Sequence, residues 1–471
     1  MASISGAMSL VSQALDNDQA ALNVVANNVA NASTTGYTEE TPAWQQNSTV
    51  TINGVSYGQG STMTGPQSQR DTILNQRLNQ QQQDYSGSTT RLAALNSIQD
   101  VFTPASSSSS DAGNIGTDLT SFFSSFSALE AAPTTQSLRE KVLSSATTLA
   151  SDISSAAGSL ETQKTSLDQE AVGVVTQINA LTTSIASLNQ QIMQSDPSGT
   201  DAGTLEDQRQ QDLANLSKLI GVDQVSTANN GLELTTSSGQ VLVSNSNSYQ
   251  LTTGTVNGVT DIFSNGVDIT SDVASGGGSL GGYLTARDTD VTGAISSLDQ
   301  LAYSVSTQVN SLNNAGQDLD GDTVNAGNIF NAPTTVSGSA LAMSVTMTDP
   351  NHIAAASSTA GTGDNTNATA MADLANQSIV NGATPADYYS SFVSTLGATV
   401  TTVQTENTAQ SASVTQLQTQ VDSISSVNLN DEASSLTTME RAYQAASQMY
   451  SILNNLMSSA LNLGTETTVS G

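Results

Sequence analysis

A mainly α fold with an inserted β module is what this chain of 471 residues predicts. Three observations predict it. Apolar residues recur at alternating steps of three and four at both ends. The same spacing runs from Val142 to Ile192 with one exception, two consecutive steps of four, and the period drops to two between Val222 and Thr270.

At the start, Ile4, Met8, Val11, Leu15, Leu22, Val25 and Val29 keep the step of four and three, with only Asp18 filling a gap. This is a coiled-coil seam. Asn31, Ser33, Thr34 and Thr35 favour local side-chain to backbone bonds and Gly36 frees the backbone, so the helix should stop there. Val50 to Tyr57 alternates around Asn53-Gly54 and reads as a β-hairpin. From Pro66 a helix is expected, with Leu74, Leu78, Tyr85, Leu92, Leu95 and Phe102 on one face. It should end near Pro104, before the low-complexity run Ala105 to Ser110.

The longest helix carries Val142, Ala146, Leu149, Ile153, Ala156, Leu160, Gln163, Leu167, Ala171, Val174, Ile178, Leu181, Ile185, Leu188 and Ile192 on one seam, and Asp196-Pro197-Ser198-Gly199 should stop it. At 1.5 Å per residue that seam is about 75 Å long. Two consecutive steps of four across Gln163, Leu167 and Ala171 form a stutter. A shorter helix from Thr204 to Ile220 follows, with Thr204 as candidate N-cap and Gly221 at its end.

Leu232-Glu233-Leu234, Gln240 to Val243, Tyr249 to Leu251 and Val267 to Ile269 then read as strands, joined by Asn230-Gly231, Asn257-Gly258 and Asn265-Gly266 turns. Gly276 to Gly278 with Gly281-Gly282 lacks the Lys-[Ser/Thr] of a phosphate loop and reads as a flexible hinge. Helix resumes from Leu284 to Leu312 and from Tyr389 to Ile424, with a strand expected at Ala340 to Thr348 and loop at Ser357 to Ala370. The last helix repeats the seam through Leu436, Met439, Tyr443, Ala446, Tyr450, Leu453, Met457 and Ala460. Asn430 is its candidate N-cap, and Asp431 and Glu432 suit the helix dipole.

The order helix, sheet, helix implies nested domains: 1–65 with 427–471 as a terminal coiled-coil assembly domain, 66–221 with 280–426 as a helical rod, and 222–279 as a small outer antiparallel β domain. Such nesting places both termini at one end of a long rod.

Charged residues are 11% of the chain against roughly 25% in an average soluble protein. Its exposed faces must therefore be built from neutral polar groups, which suits a fibre component. Net charge is −31, no Lys or Arg precedes Arg70, and only Arg441 follows Arg287. Phosphate backbones and anionic lipid need clustered cations, so no nucleic acid and no membrane partner is expected. Absence of cysteine excludes disulfides and zinc-thiolate sites. Met1 to Leu10 has no secretory n-region, and no stretch reads as apolar enough to span a bilayer.

No enzyme chemistry is expected. His352, the one histidine, follows Asp349-Pro350-Asn351 in a turn and reads as structural or exposed. Asp318, Asp320 and Asp322 alternate like the opening of a calcium loop. Thr323 stands where that loop needs Gly and Ile329 where it needs Glu, so an Asp-rich turn is the reading, with no metal and no cofactor expected.

The run Ala21 to Tyr37 resembles the N-terminal signature of the bacterial flagellar axial proteins, the rod, hook and hook-associated family. Val427 to Ala433, then Ala442 to Ala446 and Leu461-Asn462-Leu463, is similar to that family's other end. Gln69-Arg70-Asp71, Leu205 to Arg209, Leu280 to Leu284 with Arg287-Asp288, and Leu298 to Ala302 extend the likeness to the hook-associated members. Glu39 and Glu40 depart from the pattern, as does Gln210, where a second acid is usual.

The resemblance implies a structural role joining hook to filament, with self-assembly in a ring or short tube. It implies contacts with hook protein, with a second junction protein (hook-associated protein 3) and with an export chaperone, and an extracellular place reached through the flagellar type III apparatus without a cleaved signal. It makes the terminal helices the assembly interface: Ile4, Met8, Val11, Leu15, Leu22, Val25, Asn27, Asn28, Val29, Asn31, Gly36 and Tyr37, with Asn428, Leu436, Met439, Tyr443, Tyr450, Leu453, Met457 and Leu461. A hook subunit is the rival within the family, although the long helix counts against it. A secreted adhesin with flagellar-type ends is the rival outside it.

Overall fold

The computed structural model of the chain describes residues 2–52, 54–102, 115–195, 203–228, 230–256, 258–323 and 327–466. Its elements run α1 (Ala2–Asn31), β1 (Glu40–Gln46), β2 (Val50–Ile52), β3 (Val55–Tyr57), β4 (Ser61–Ser68), α2 (Thr72–Phe102), α3 (Ile115–Ala131), α4 (Gln136–Ser195) and α5 (Thr204–Leu219). Next come β5 (Val222–Ser226), β6 (Leu232–Thr236), β7 (Val241–Ser244), β8 (Asn247–Ser248), β9 (Leu251–Val256), β10 (Val259–Ser264) and β11 (Val267–Asp268). The chain continues with α6 (Thr270–Ser275), α7 (Gly278–Thr285), α8 (Thr292–Ala315), β12 (Gly316–Gln317), β13 (Ala356–Ser357), α9 (Thr366–Asp373), α10 (Pro385–Ser425) and α11 (Leu429–Glu466). The fold is mainly α with small antiparallel sheets, as the periodicity requires.

Two compact units result. The first comprises Met1–Gln82, Ile178–Leu251 and Ala412–Gly471, and the second Gln83–Gln177 with Thr252–Ser411. Both chain ends therefore lie in one unit. The segment 222–279, read above as one insert, contributes to both: β5-β6-β7-β8 form a four-stranded antiparallel sheet of the first, and β9-β10-β11 form a three-stranded sheet whose residues from Thr252 belong to the second. Sequence period marks strands but not which sheet they join.

In the first unit β6 buries Leu232, Leu234 and Thr236 and turns the residues between them outward, the alternation a one-faced strand needs. β1 pairs antiparallel with β4, and Pro42 faces Pro66 across this two-stranded sheet. Pro66 therefore lies in a strand and does not begin a helix. Each strand has a single partner, so a proline without N–H is tolerated. α2 starts six residues later, where Asp71 Oδ1 accepts from the backbone N–H groups of Ile73 and Leu74, both at 3.0 Å.

The second unit holds the large core. Phe122, Phe126 and Phe330 meet with ring centroids 5.2 and 5.4 Å apart around Phe122, among the buried seam residues Val142 to Leu160 of α4. α3 supplies much of this aromatic mass through Ile115, Leu119, Phe122, Phe123, Phe126 and Leu129 at helical spacing. The sequence reading passed over it, because its serine-rich interior looks like the low-complexity run before it. α4 is one continuous helix of 60 residues, longer at its start than the seam indicates. Its stutter residue Gln163 donates from Nε2 to the Ala94 carbonyl at 2.9 Å, which places a polar group where the seam slips.

Other expectations need correcting. α4 does contain an 18-residue window with mean hydropathy 1.3, and its Val174, Val175, Ile178 and Ile185 are buried as in a core helix. The cap residue of α5 is Gly203, with Thr204 already helical. Ala340 to Thr348 is turns with one bridge, Phe330 to Val345, and buries Ala340, Met343 and Met347 at helical steps. α9 and β13 occupy part of the expected loop 357–370. Gly281 and Gly282 are buried packing glycines inside α7: a Cβ on Gly282 would stand 2.5 Å from the Gly87 carbonyl oxygen, and one on Gly281 2.9 Å from that of Val273. Close backbone approach, not hinge motion, requires them. The expected features at Ala105 to Ser110 and Asp196 to Gly199 lie outside the described residues.

One buried acid makes the second unit pH-sensitive. Burial first, then a hydrogen bond with Asp152 and that group's charge, push the Asp118 carboxyl up to about 7. A raised carboxyl value means the fold favours the protonated form, so its contribution is full below the ordinary value and is lost as pH rises through about 7. Asp118→Asn, which keeps a neutral donor, is expected to melt close to the parent at about pH 5 and above it at about pH 8.5. Thermal melts across that range check this, and parallel pH profiles for the two proteins would refute it.

Candidate assembly site

α1 and α11 come from opposite ends of the chain and pack against each other, while α1 also touches β1 and β4. Val11, Ala21, Val24 and Val25 are buried on α1. Ile4, Met8, Leu15 and Leu22 are half-buried and Val29 is exposed. The apolar reading thus found only part of the stripe, since Ala21 is small and Asn28 polar, and the strand contacts widen the buried face.

Asn28 is 1% exposed and fully engaged. Its Nδ2 donates to the Glu40 carbonyl at 2.8 Å and to Glu432 Oε1 at 2.7 Å, and its Oδ1 accepts from Tyr37 Oη at 2.7 Å and the Glu40 N–H at 3.1 Å. One amide therefore ties α1, the loop after it, β1 and α11. Burial and the surrounding carboxylates Glu40, Asp207, Glu432 and Glu39 raise the Tyr37 phenol well above its ordinary value, which keeps its O–H available to donate. Gly36, at φ +82°, turns the chain so that Tyr37 can reach back. Asn31 donates to Asn27 O at 3.1 Å and Oδ1 at 2.9 Å and accepts from Thr34 Oγ1 at 3.2 Å, closing the helix end. A polar cavity of about 400 Å³ opens beside this loop, lined in part by Gly36, Tyr37, Asn79, Asp207, Gln211 and Gln418.

α11 begins two residues earlier than expected. Asn428 is the cap, its Oδ1 accepting from the Asn430 N–H at 3.1 Å. Asn430 is already helical. Glu432 is 5% exposed and serves Asn28, a role that the dipole argument did not reveal. Along the helix Met439, Ala446, Leu453, Met457 and Ala460 are half-buried. Leu436, Tyr443, Tyr450 and Leu461 are exposed on one flank of that stripe, and Met449, Ile452 and Leu456 on the other, Ile452 at 59%. At 3.6 residues per turn this apolar arc is too wide for a single partner helix.

Motifs far apart in the chain also converge. Arg70 bonds Glu206 at 2.7 Å and Asp207 at 2.5 Å, and Asp207 Oδ2 accepts from the Thr38 N–H at 3.1 Å. In the second unit Arg287 bonds Asp168 at 2.6 Å and Asp288 at 2.7 Å, while Asp299 accepts from the N–H groups of Gly338 at 2.9 Å and Ala340 at 2.8 Å. Burial opposes the charge on Asp168, yet bonds from Thr260 and Arg287 bring its carboxyl below the ordinary value.

Residues 10–38, which take in much of α1 and the loop after it, match the flagella basal body rod protein family of flagellar axial proteins. Residues 95–330, half the chain, match the flagellar hook-associated protein FlgK helical domain. The chain belongs to that family, whose members are structural components of the bacterial flagellum. It is 28% identical to flagellar hook-associated protein 1 of Salmonella typhimurium over 94% of this chain and 97% of that one. It is 26% identical to the Escherichia coli protein of that name over 94% and 97%, and 25% identical to that of Bacillus subtilis over 96% of each. The solved flagellar hook junction protein FlgK from Burkholderia pseudomallei has the same fold, with a TM-score of 0.63 and 19% identity over 73% of this chain and 99% of that chain.

Replacing Asn28 tests the clasp. Asn28→Ala removes four hydrogen bonds and leaves the buried Glu432 carboxylate without its amide donor, at a cost of about 2–3 kcal/mol. Amide hydrogen exchange is expected to quicken in α1 and in the first turns of α11 and to stay unchanged in α3. Unchanged protection in α1 would show that the clasp is dispensable.

Proposed function

We propose that the chain is a junction subunit between flagellar hook and filament, assembling through the outer faces of α1 and α11. One observation carries the reading: α11 keeps apolar residues exposed on both sides of its contact with α1. Large apolar side chains left in water on adjacent faces mark an interaction surface, and neighbouring copies of the same pair would bury them. In this reading Ile4, Met8, Leu15, Leu22, Val29, Leu436, Tyr443, Tyr450 and Leu461 close their remaining surface against other subunits in a ring or short tube. Asn27, Asn31 and Asn428 hold the helix ends in shape for it.

The first unit, which contains both termini, is the assembly end. Hook protein on one side, hook-associated protein 3 on the other and an export chaperone before assembly are the partners proposed. Export through the flagellar type III apparatus to an extracellular position is the proposed route, and the work is mechanical, without catalysis. The names of the relatives and the exposed arc of α11 support this reading together.

The experiment is a triple substitution on one open flank, Met449→Ser, Ile452→Ser and Leu456→Ser, in the full chain. These side chains are exposed, so the purified protein is expected to keep its far-UV circular dichroism and melting temperature. It should fail to restore swimming and filaments to cells lacking the gene. Restored filaments with normal swimming would overturn the role given to this face.

A further inference from the structure

The Asp-rich turn after α8 acquires in the fold a partner that sequence spacing does not show. Gly316 leaves the helix in extended backbone, and the turn then closes on itself. The Asp318 N–H donates to the Asp322 carbonyl at 3.0 Å, the Asp322 N–H donates to Asp318 Oδ1 at 2.8 Å, and Gly321 adopts φ +90°. The Leu319 N–H donates to the Asn351 carbonyl at 3.0 Å, so the turn is laid against the short 3₁₀ segment Pro350–His352. One ligand atom each of Asp318, Asp320 and His352 then lie within 4.8 Å of one another.

One observation beside the cluster itself points to a ligand here. Asp318 is 0% exposed, and its Oδ2 has no hydrogen-bond donor among the described residues. Carboxylate oxygens withdrawn from water require a donor or a cation. The neighbouring cation does not supply it directly. Arg139, also 0% exposed, donates from Nε to the Pro133 carbonyl at 2.8 Å and from Nη1 to those of Asn351 at 3.3 Å and of Ile353, while its Nη2 has no acceptor among the described residues and its charge is felt by Asp318 and Asp320. It makes no ion pair with Asp318 or Asp320 among the described residues, and its single charge offsets only one of the two carboxylates. What Arg139 does is hold the carbonyls on either side of His352, while Asn313 Nδ2 donates to the His352 carbonyl at 3.2 Å. The imidazole is thus carried on a pinned backbone.

We propose that Asp318, Asp320 and His352 form a divalent-cation site that clamps the 318–322 turn to the 350–352 segment. Two carboxylates with one imidazole suit an ion of borderline hardness, Zn²⁺ or Mn²⁺, rather than the all-oxygen cage of a calcium loop. Ligands held about 2.1 Å from one ion stand roughly 3–4 Å apart, so the exposed Asp320 swings in by the small remainder. Water fills the other positions. The role proposed for the ion is structural, joining the turn to the segment laid against it.

The test uses the full chain, freed of metal with EDTA and returned to ZnCl₂ or MnCl₂ alone. Expected are one tight site per chain by isothermal titration and a melting temperature that rises with metal concentration, as binding to the folded form requires. A chain with net charge −31 also gathers divalent ions loosely, so variants carry the decision. His352→Gln and Asp320→Asn alter residues that are not buried. They are expected to leave the metal-free melt unchanged and to weaken binding at least tenfold, with Asp318→Asn as the stricter third variant. No metal-dependent rise in melting temperature, or a rise of the same size in His352→Gln, would overturn the proposal. So would Ca²⁺ binding as tightly as Zn²⁺ without dependence on His352.

Discussion

The contact on which the architecture turns is the hydrogen bond between Asn28 and Glu432, side chains 404 positions apart. It joins the first helix to the last within the first unit, and the chain between them leaves that unit twice, at Gln83–Gln177 and at Thr252–Ser411, to build the second. Burying a carboxylate in this way is costly unless it is hydrogen-bonded, and Asn28 meets the need while also receiving Tyr37 and the Glu40 N–H. A hydrophobic residue at position 28 would keep the seam but lose the loop.

Scarcity of charge shapes the rest. The chain has ten basic residues, and Arg70, Arg91, Arg139, Arg209 and Arg287 are each committed to internal bonds. Arg91 grips Asp290 through two parallel bonds of 2.8 and 2.9 Å, Arg209 reaches the Asn230 carbonyl at 2.5 Å and Asn189 Oδ1 at 2.9 Å, and Arg139 ties three carbonyls. Guanidinium suits this work because its fixed fork satisfies several acceptors at once. With half of its cations directed inward, the protein shows mainly neutral polar groups and acids outside. Such a surface favours hydrogen bonding and apolar contact over ion pairing as the means of association.

Long seams were legible in the sequence because helix period survives any tertiary context, and the buried face of α4 follows its seam closely, while the terminal helices follow theirs in part. What escaped was set by contacts between distant residues. α3 was missed although its aromatics keep helical steps, because serine between them mimics a linker. Thr204 and Asn430 were named as caps one or two residues inside the true ends, for cap geometry depends on backbone angles that composition does not encode. The glycines of α7 read as a hinge until Gly87 stood against them. At the assembly site the large apolar residues were legible, but Glu432 and Ala21 were not. One is a charge used inside, and the other is small enough to let two helices approach.

In the proposed assembly α11 serves two kinds of neighbour, and that accounts for its open flanks. Inside the chain it needs enough apolar surface to hold α1, and Met439, Ala446, Leu453, Met457 and Ala460 give a narrow stripe with two alanines. That stripe alone is a weak contact, since alanine buries little area. The larger side chains, Tyr443, Tyr450, Ile452 and Leu456, stand beside it and stay exposed. The stripe positions the two helices with modest burial, and the larger side chains beside it remain as apolar surface for the neighbouring subunits proposed above.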